Sequence, residues 1–138
     1  MDVLVVVDMQ KDFISGALGT KEAVAIVPRV AEKIAKAKKA GKTIVFTRDT
    51  HHENYLDTQE GKNLPVPHCI ENTPGWEIDP ALDTTGAQIF DKPSFGSEEL
   101  VQYLKGLDNL TSAEFVGLCT DICVITNVLS AKCALPEL

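Results

Sequence analysis

Asp8, Lys92 and Cys123 are residues whose types could together carry out covalent chemistry. A cysteine thiolate is a nucleophile, a nearby ammonium favours its anionic form, and a carboxylate beside both can carry protons. Singly, each has a plainer reading: Asp8 as a turn cap, Lys92 as a solvated loop lysine, Cys123 as a small buried hydrophobe. Their placement changes the weighting. Each follows a predicted strand, as does Asp49, so all could share one rim of a sheet. Cys123 also falls in the first turn of a predicted helix, where the positive end of the dipole stabilises a thiolate.

Asp49 and His51 form a second group. Two residues apart at a strand end, they can face the same way, and mixed nitrogen and oxygen ligands suit zinc, manganese or iron. All 3 histidines, His51, His52 and His68, lie in this one segment. The alternative is a polar loop with incidental histidines.

The elements that must position these groups are legible from periodicity. Val3 to Val7 is a continuous β-branched run, the pattern of a strand buried on both faces. From Lys21 to Ala40, Ala23, Ile26, Val27, Val30, Ile34 and Ala37 keep helical spacing, with Gly41 supplying the C-cap. Thr43 to Thr47 is a second strand, completing a strand-helix-strand unit. From Arg48 to about Ala87 the periodicity disappears. Pro65, Pro67, Pro74 and Pro80 with Gly61 and Gly75 predict irregular chain there, and an irregular stretch of this length inside a domain is usually functional. Order returns with a strand at Gln88 to Phe90. A helix from Ser97 to Lys105 follows, with Ser97 as N-cap. A strand at Ala113 to Leu118 and a helix from about Asp121 to Lys132 complete the chain. The expectation is one α/β domain over residues 1–138, a doubly wound, mainly parallel sheet with helices on both faces and ligands at the carboxyl ends of the strands.

Bulk properties narrow the partners. A net charge of -7 opposes nucleic-acid binding, because an acidic surface gains no counterion release from phosphates. No apolar run approaches the ~20 residues of a membrane span, and the N-terminus lacks the basic region of a signal peptide. The expected location is the cytoplasm and the expected partner a small molecule. The 4 cysteines lack zinc-ribbon spacing and read as free thiols or ligands.

Five segments carry a family resemblance: VVVDMQKDF at Val5 to Phe13, FTRDTHHENY at Phe46 to Tyr55, LPVPHCIENTPGWEI at Leu64 to Ile78, FDKPSFGS at Phe90 to Ser97, and VGLCTDICV at Val116 to Val124. In that order they resemble the isochorismatase-like cysteine hydrolases, and within them the nicotinamidase branch. The resemblance implies a catalytic triad of Asp8, Lys92 and Cys123. It further implies a cis peptide between Leu118 and Cys119, and an oxyanion hole made by the backbone N–H groups of Cys119 and Cys123. Its metal-containing members imply a divalent ion, zinc first with manganese or iron as alternatives, on Asp49, His51 and His68, with Glu60 resembling a fourth ligand. His52 has no clear counterpart. Phe13 matches the substrate-facing aromatic. Phe95 and Trp76 are further candidates that could equally be core residues.

The implied reaction is hydrolysis of nicotinamide to nicotinate and ammonia through a Cys123 thioester. The rivals are another hydrolase of the family, acting on isochorismate, an N-carbamoyl amine or another small amide, and a catalytically silent module of the same fold. The family usually continues past the helix bearing its nucleophile. The expectation is therefore a sheet lacking its last strand and helix, and a homo-oligomer that covers the uncovered edge.

Overall fold

The computed structural model describes residues 1–138. Strands β1 (Asp2–Val7), β2 (Thr43–Asp49), β3 (Gln88–Lys92) and β4 (Ser112–Gly117) form one sheet in the order β3-β2-β1-β4. Every pairing is parallel. All four carboxyl ends therefore lie on one rim. The chain winds outward from β1 to β3, then crosses to β4 on the other side of β1. That reversal of winding opens a crevice between the ends of β1 and β4.

The β-branched run of β1 is buried on both faces, as expected. Leu4 and Val6 face one core with Ile44 and Phe46 of β2 and with Ala23, Val30, Ile34 and Ala37 of α2 (Lys21–Lys39). Val3, Val5 and Val7 face the other core, with Val45, Phe90, Leu100, Leu104 and Ala131. These last residues bring α4 (Glu98–Lys105) and α5 (Ile125–Ala134) onto the opposite face.

Local signals set the boundaries. Thr20 caps α2 by accepting the Ala23 N–H at 3.0 Å, and Ser97 caps α4 by accepting the Leu100 N–H at 3.1 Å. Gly41, at φ +72°, ends α2. Its N–H reaches the Lys38 carbonyl and the next N–H, of Lys42, reaches Ala37, a Schellman arrangement that needs the left-handed residue.

Three boundaries differ from expectation. β2 and β3 run on to Asp49 and Lys92, so these are the last paired residues of their strands instead of the first loop residues. The stretch after β2 is irregular, as expected, but carries 3-10 turns at Tyr55–Asp57 and Pro74–Trp76, a short helix α3 (Gln59–Asn63), and isolated bridges at Gln10 with Ile78 and His51 with Ile70. α5 does not begin at Asp121. Thr120–Val124 forms a wider, π-type turn in which the Val124 N–H bonds to the Cys119 carbonyl at 3.1 Å. The short α1 (Lys11–Ile14) follows β1. No helix is long and apolar enough to cross a membrane.

Candidate active site

The rim of the sheet gathers the catalytic candidates. At the end of β1 the chain turns sharply, with Asp8 at φ 49°, a left-handed conformation that Asp tolerates better than most residues. β4 approaches β1 closely here. A Cβ on Gly117, at φ +120°, would lie 2.1 Å from the Val7 carbonyl, so only glycine fits. The Leu118–Cys119 peptide that follows is cis, as the resemblance implied. The wide turn then carries Cys123 back under β1.

Lys92 joins the three. Its ammonium lies 2.7 Å from Asp8 Oδ2 and 3.5 Å from Cys123 Sγ, and donates to the Ser94 carbonyl at 2.9 Å. Lys92 is 1% exposed and Asp8 0%, so the pair is held out of water. Burial alone would discharge the ammonium, but Asp8, Asp49 and Cys123 together hold the Lys92 pKa above its ordinary value. Burial outweighs Lys92 at the carboxylate and raises the Asp8 pKa. Thr47 opposes that rise by donating to Asp8 Oδ1 at 2.7 Å.

Cys123 lies in the wide turn that runs directly into α5. Burial first, and then the Asp8 charge, raise its pKa against the opposing effect of Lys92. That shift favours the thiol form. The N–H of Cys119 finds no acceptor within the chain, which leaves it free for an incoming oxygen.

A second cluster adjoins the first. Asp49 Oδ2 lies 3.0 Å from His51 Nε2 and 3.5 Å from His68 Nε2, and Glu60 Oε2 lies 3.1 Å and 3.9 Å from the same nitrogens. Asp49, His51 and His68 are all buried. Burial would raise the Asp49 pKa, but the bonds from His51 and His68 and the Lys92 charge outweigh it and hold the group well below its usual value. His68 Nδ1 faces the Val66 carbonyl at 2.7 Å, so that nitrogen must donate. With the ring protonated Nε2 donates to Asp49; with the ring neutral Nε2 turns a lone pair toward the two carboxylates, an arrangement that a cation between them satisfies. Asp49 Oδ1 is buried without a hydrogen-bond donor. Ligand atoms around a tetrahedral zinc stand about 3.3 Å apart, given zinc–ligand bonds of about 2.0–2.1 Å. The residues present fit a divalent ion.

Of the aromatic candidates, Phe13 reaches this region, its ring 5.4 Å from that of His68. Trp76 is engaged by β2: its indole N–H donates to Thr50 Oγ1 at 2.9 Å and the Arg48 guanidinium sits 3.5 Å over the ring. Phe95 is exposed beside Ser94, and its carbonyl accepts from Asn127. His52 lies outside the cluster, exposed and paired with Glu71.

Four residues of the site carried no signal in the residue-type reading. Thr47 bonds Asp8. Asn127, fully buried, donates to the Cys123 and Phe95 carbonyls at 2.8 and 3.0 Å and accepts the Ser97 N–H at 3.0 Å. Tyr55 lies edge-on to His51 and His68, with ring centroids 4.7 and 5.1 Å away, and its phenol is pushed up to about 12 by burial and Glu60. Gln10 sits beneath Asp49. Alternating apolar character could have flagged Thr47 and Gln10 as polar groups inside a buried run.

Comparison with known proteins places the chain in a family. An isochorismatase domain matches residues 2–133, and the chain belongs to that family. Among its relatives is a nicotinamidase/pyrazinamidase of Mycobacterium tuberculosis, 29% identical and aligned over 90% of this chain and 75% of the relative. The crystal structure of a pyrazinamidase of Pyrococcus horikoshii in complex with zinc superposes with a TM-score of 0.83 and 36% identity, over 96% of this chain and 79% of that one. A pyrazinamidase/nicotinamidase of Streptococcus mutans gives 0.84 and 28%, over 95% and 79%.

Proposed function

We propose that this chain is an amide hydrolase that converts nicotinamide to nicotinate and ammonia through a thioester on Cys123. The observation that carries the reading is the position of Lys92 Nζ, 2.7 Å from Asp8, 3.5 Å from Cys123 Sγ and 3.5 Å from Asp49, which joins the nucleophile pair to the ligand cluster.

Asp8 takes the Cys123 thiol proton as sulfur attacks the carboxamide carbon. The N–H groups of Cys119 and Cys123 receive the oxyanion. Collapse breaks the C–N bond, Asp8 returns its proton to the departing nitrogen, and ammonia leaves. Water then adds to the thioester with Asp8 as base, the C–S bond breaks, and the proton on Asp8 goes back to the Cys123 sulfur. Lys92 remains an ammonium throughout, compensating whichever neighbour is anionic. Phe13 offers an aromatic face to a flat ring.

Asp49, His51 and His68, with Glu60 within reach, would hold a divalent ion, zinc in the first place. Bound there, it supplies a Lewis-acid point for a ring nitrogen of the substrate. This cluster favours a heteroaromatic amide over isochorismate.

Ammonia release from nicotinamide by the zinc-loaded protein, abolished in Cys123→Ala, tests the reading. No release with zinc supplied would overturn the substrate assignment.

The same reading includes self-association. Ile122, Ile125 and Leu129 are exposed apolar side chains at helical spacing along the Cys123 turn and α5. A monodisperse monomer in light scattering would refute this.

A further inference from the structure

β1 and β2 pair only as far as Val7 and Thr47. Beyond that point β1 turns away at Asp8, so Asp49 has no backbone partner on the β1 side, while on its other side it pairs with Lys92 of β3. Gln10 fills the gap. Its Oε1 accepts the Asp49 N–H at 2.7 Å and its Nε2 donates to the Asp49 carbonyl at 2.8 Å. A side-chain amide thereby makes both bonds that a neighbouring strand would have made. The remaining N–H of Nε2 donates to the Trp76 carbonyl at 2.8 Å. Gln10 is 0% exposed, so each of these bonds replaces water that cannot reach the site.

Asp49 needs this support because its carboxylate faces two ways. Oδ2 meets His51 and His68, and Oδ1 stands 3.5 Å from Lys92. A carboxylate shared between a ligand cluster and a catalytic ammonium works only if the backbone beneath it is fixed, and the end of a strand paired on one side frays. The segment 74–78 is drawn into the same clamp, through the Trp76 carbonyl and the Gln10–Ile78 bridge.

We propose that Gln10 is a positioning residue: its amide extends the sheet by one residue and so holds Asp49 in register with Lys92 for ion binding. The proposal rests on the ion-binding reading of Asp49, His51 and His68. Length and donor chemistry are both required. Asn is one methylene too short to reach the backbone. Glu keeps the reach but turns a carboxylate oxygen toward the Asp49 and Trp76 carbonyls, where donors are needed.

The test is zinc affinity of the metal-free full chain, by competition with a chromophoric chelator, for wild type, Gln10→Asn and Gln10→Glu, alongside hydrogen exchange of the Asp49 amide and thermal melting. Ile34→Val, a core trim on α2 away from the cluster, controls for general destabilisation. The expected result is zinc binding about 10–100-fold weaker in both Gln10 variants. Faster exchange at Asp49 should accompany it, with neither change in Ile34→Val. Unchanged affinity and unchanged Asp49 protection in folded Gln10→Asn would overturn the proposal, as would an equal loss in Ile34→Val. A wild-type chain that bound no zinc would overturn the ion reading instead, and Asp49 exchange would then decide whether Gln10 fixes that backbone.

Discussion

Lys92 Nζ and Asp8 Oδ2 lie 2.7 Å apart with both side chains fully withdrawn from solvent. Removing one member of such a pair leaves a bare charge in the interior, so Lys92→Met should destabilise by about 3–5 kcal/mol. The double variant Asp8→Asn with Lys92→Met should recover most of that stability and none of the activity. Urea denaturation and ammonia release separate the two. Equal stability of Lys92→Met and wild type would contradict the buried pair.

The pH profile follows from the direction of the Asp8 shift. In the proposed mechanism Asp8 works as base only as a carboxylate, and burial raises its pKa, so kcat/KM should fall as pH drops through a value above the ordinary aspartate range of about 3.9. Thr47 donates to that carboxylate and favours its charged form. Thr47→Val should therefore move the acid limb to higher pH. A limb that stays put, or moves down, would show that Asp8 is not the group being titrated.

Ion binding should appear as mass-action stabilisation. A ligand at about 100 times its dissociation constant adds about 2.7 kcal/mol to a state that alone binds it. Zinc should raise the Tm of wild type, a chelator should reverse the gain, and Asp49→Ala should show neither effect. A zinc-dependent gain of equal size in Asp49→Ala would place the ion elsewhere.

Asn127 fixes the turn that carries Cys123, the proposed nucleophile, since its side chain bonds the Cys123 carbonyl, the Phe95 carbonyl and the Ser97 N–H. Asn127→Leu removes these bonds and leaves buried groups unpaired, each worth about 1–3 kcal/mol. The expected outcome is a lower denaturation midpoint together with a fall in kcat larger than any change in KM, read from steady-state ammonia release. An unaltered kcat would confine Asn127 to stability.

The sequence by itself determined the elements and the cast of residues. The β-branched run of β1 has the pattern of a doubly covered strand, the amphipathic 3.6-residue period of α2 gives it one face to bury, and strands alternating with helices imply a parallel sheet whose carboxyl ends share a rim. The motif at Val116 to Val124 and the Asp49, His51 pair were equally legible, because their spacing is local. Tertiary structure decided what spacing cannot encode. Pairing of β2 with β3 is a long-range register, and only that register sets Asp49 opposite Lys92 and extends both strands by the residues that carry the chemistry. The pKa of Cys123 depends on its burial and on Asp8 and Lys92, which lie far from it in sequence. Gln10 and Thr47 act through partners 39 residues distant, a separation at which no sequence period operates.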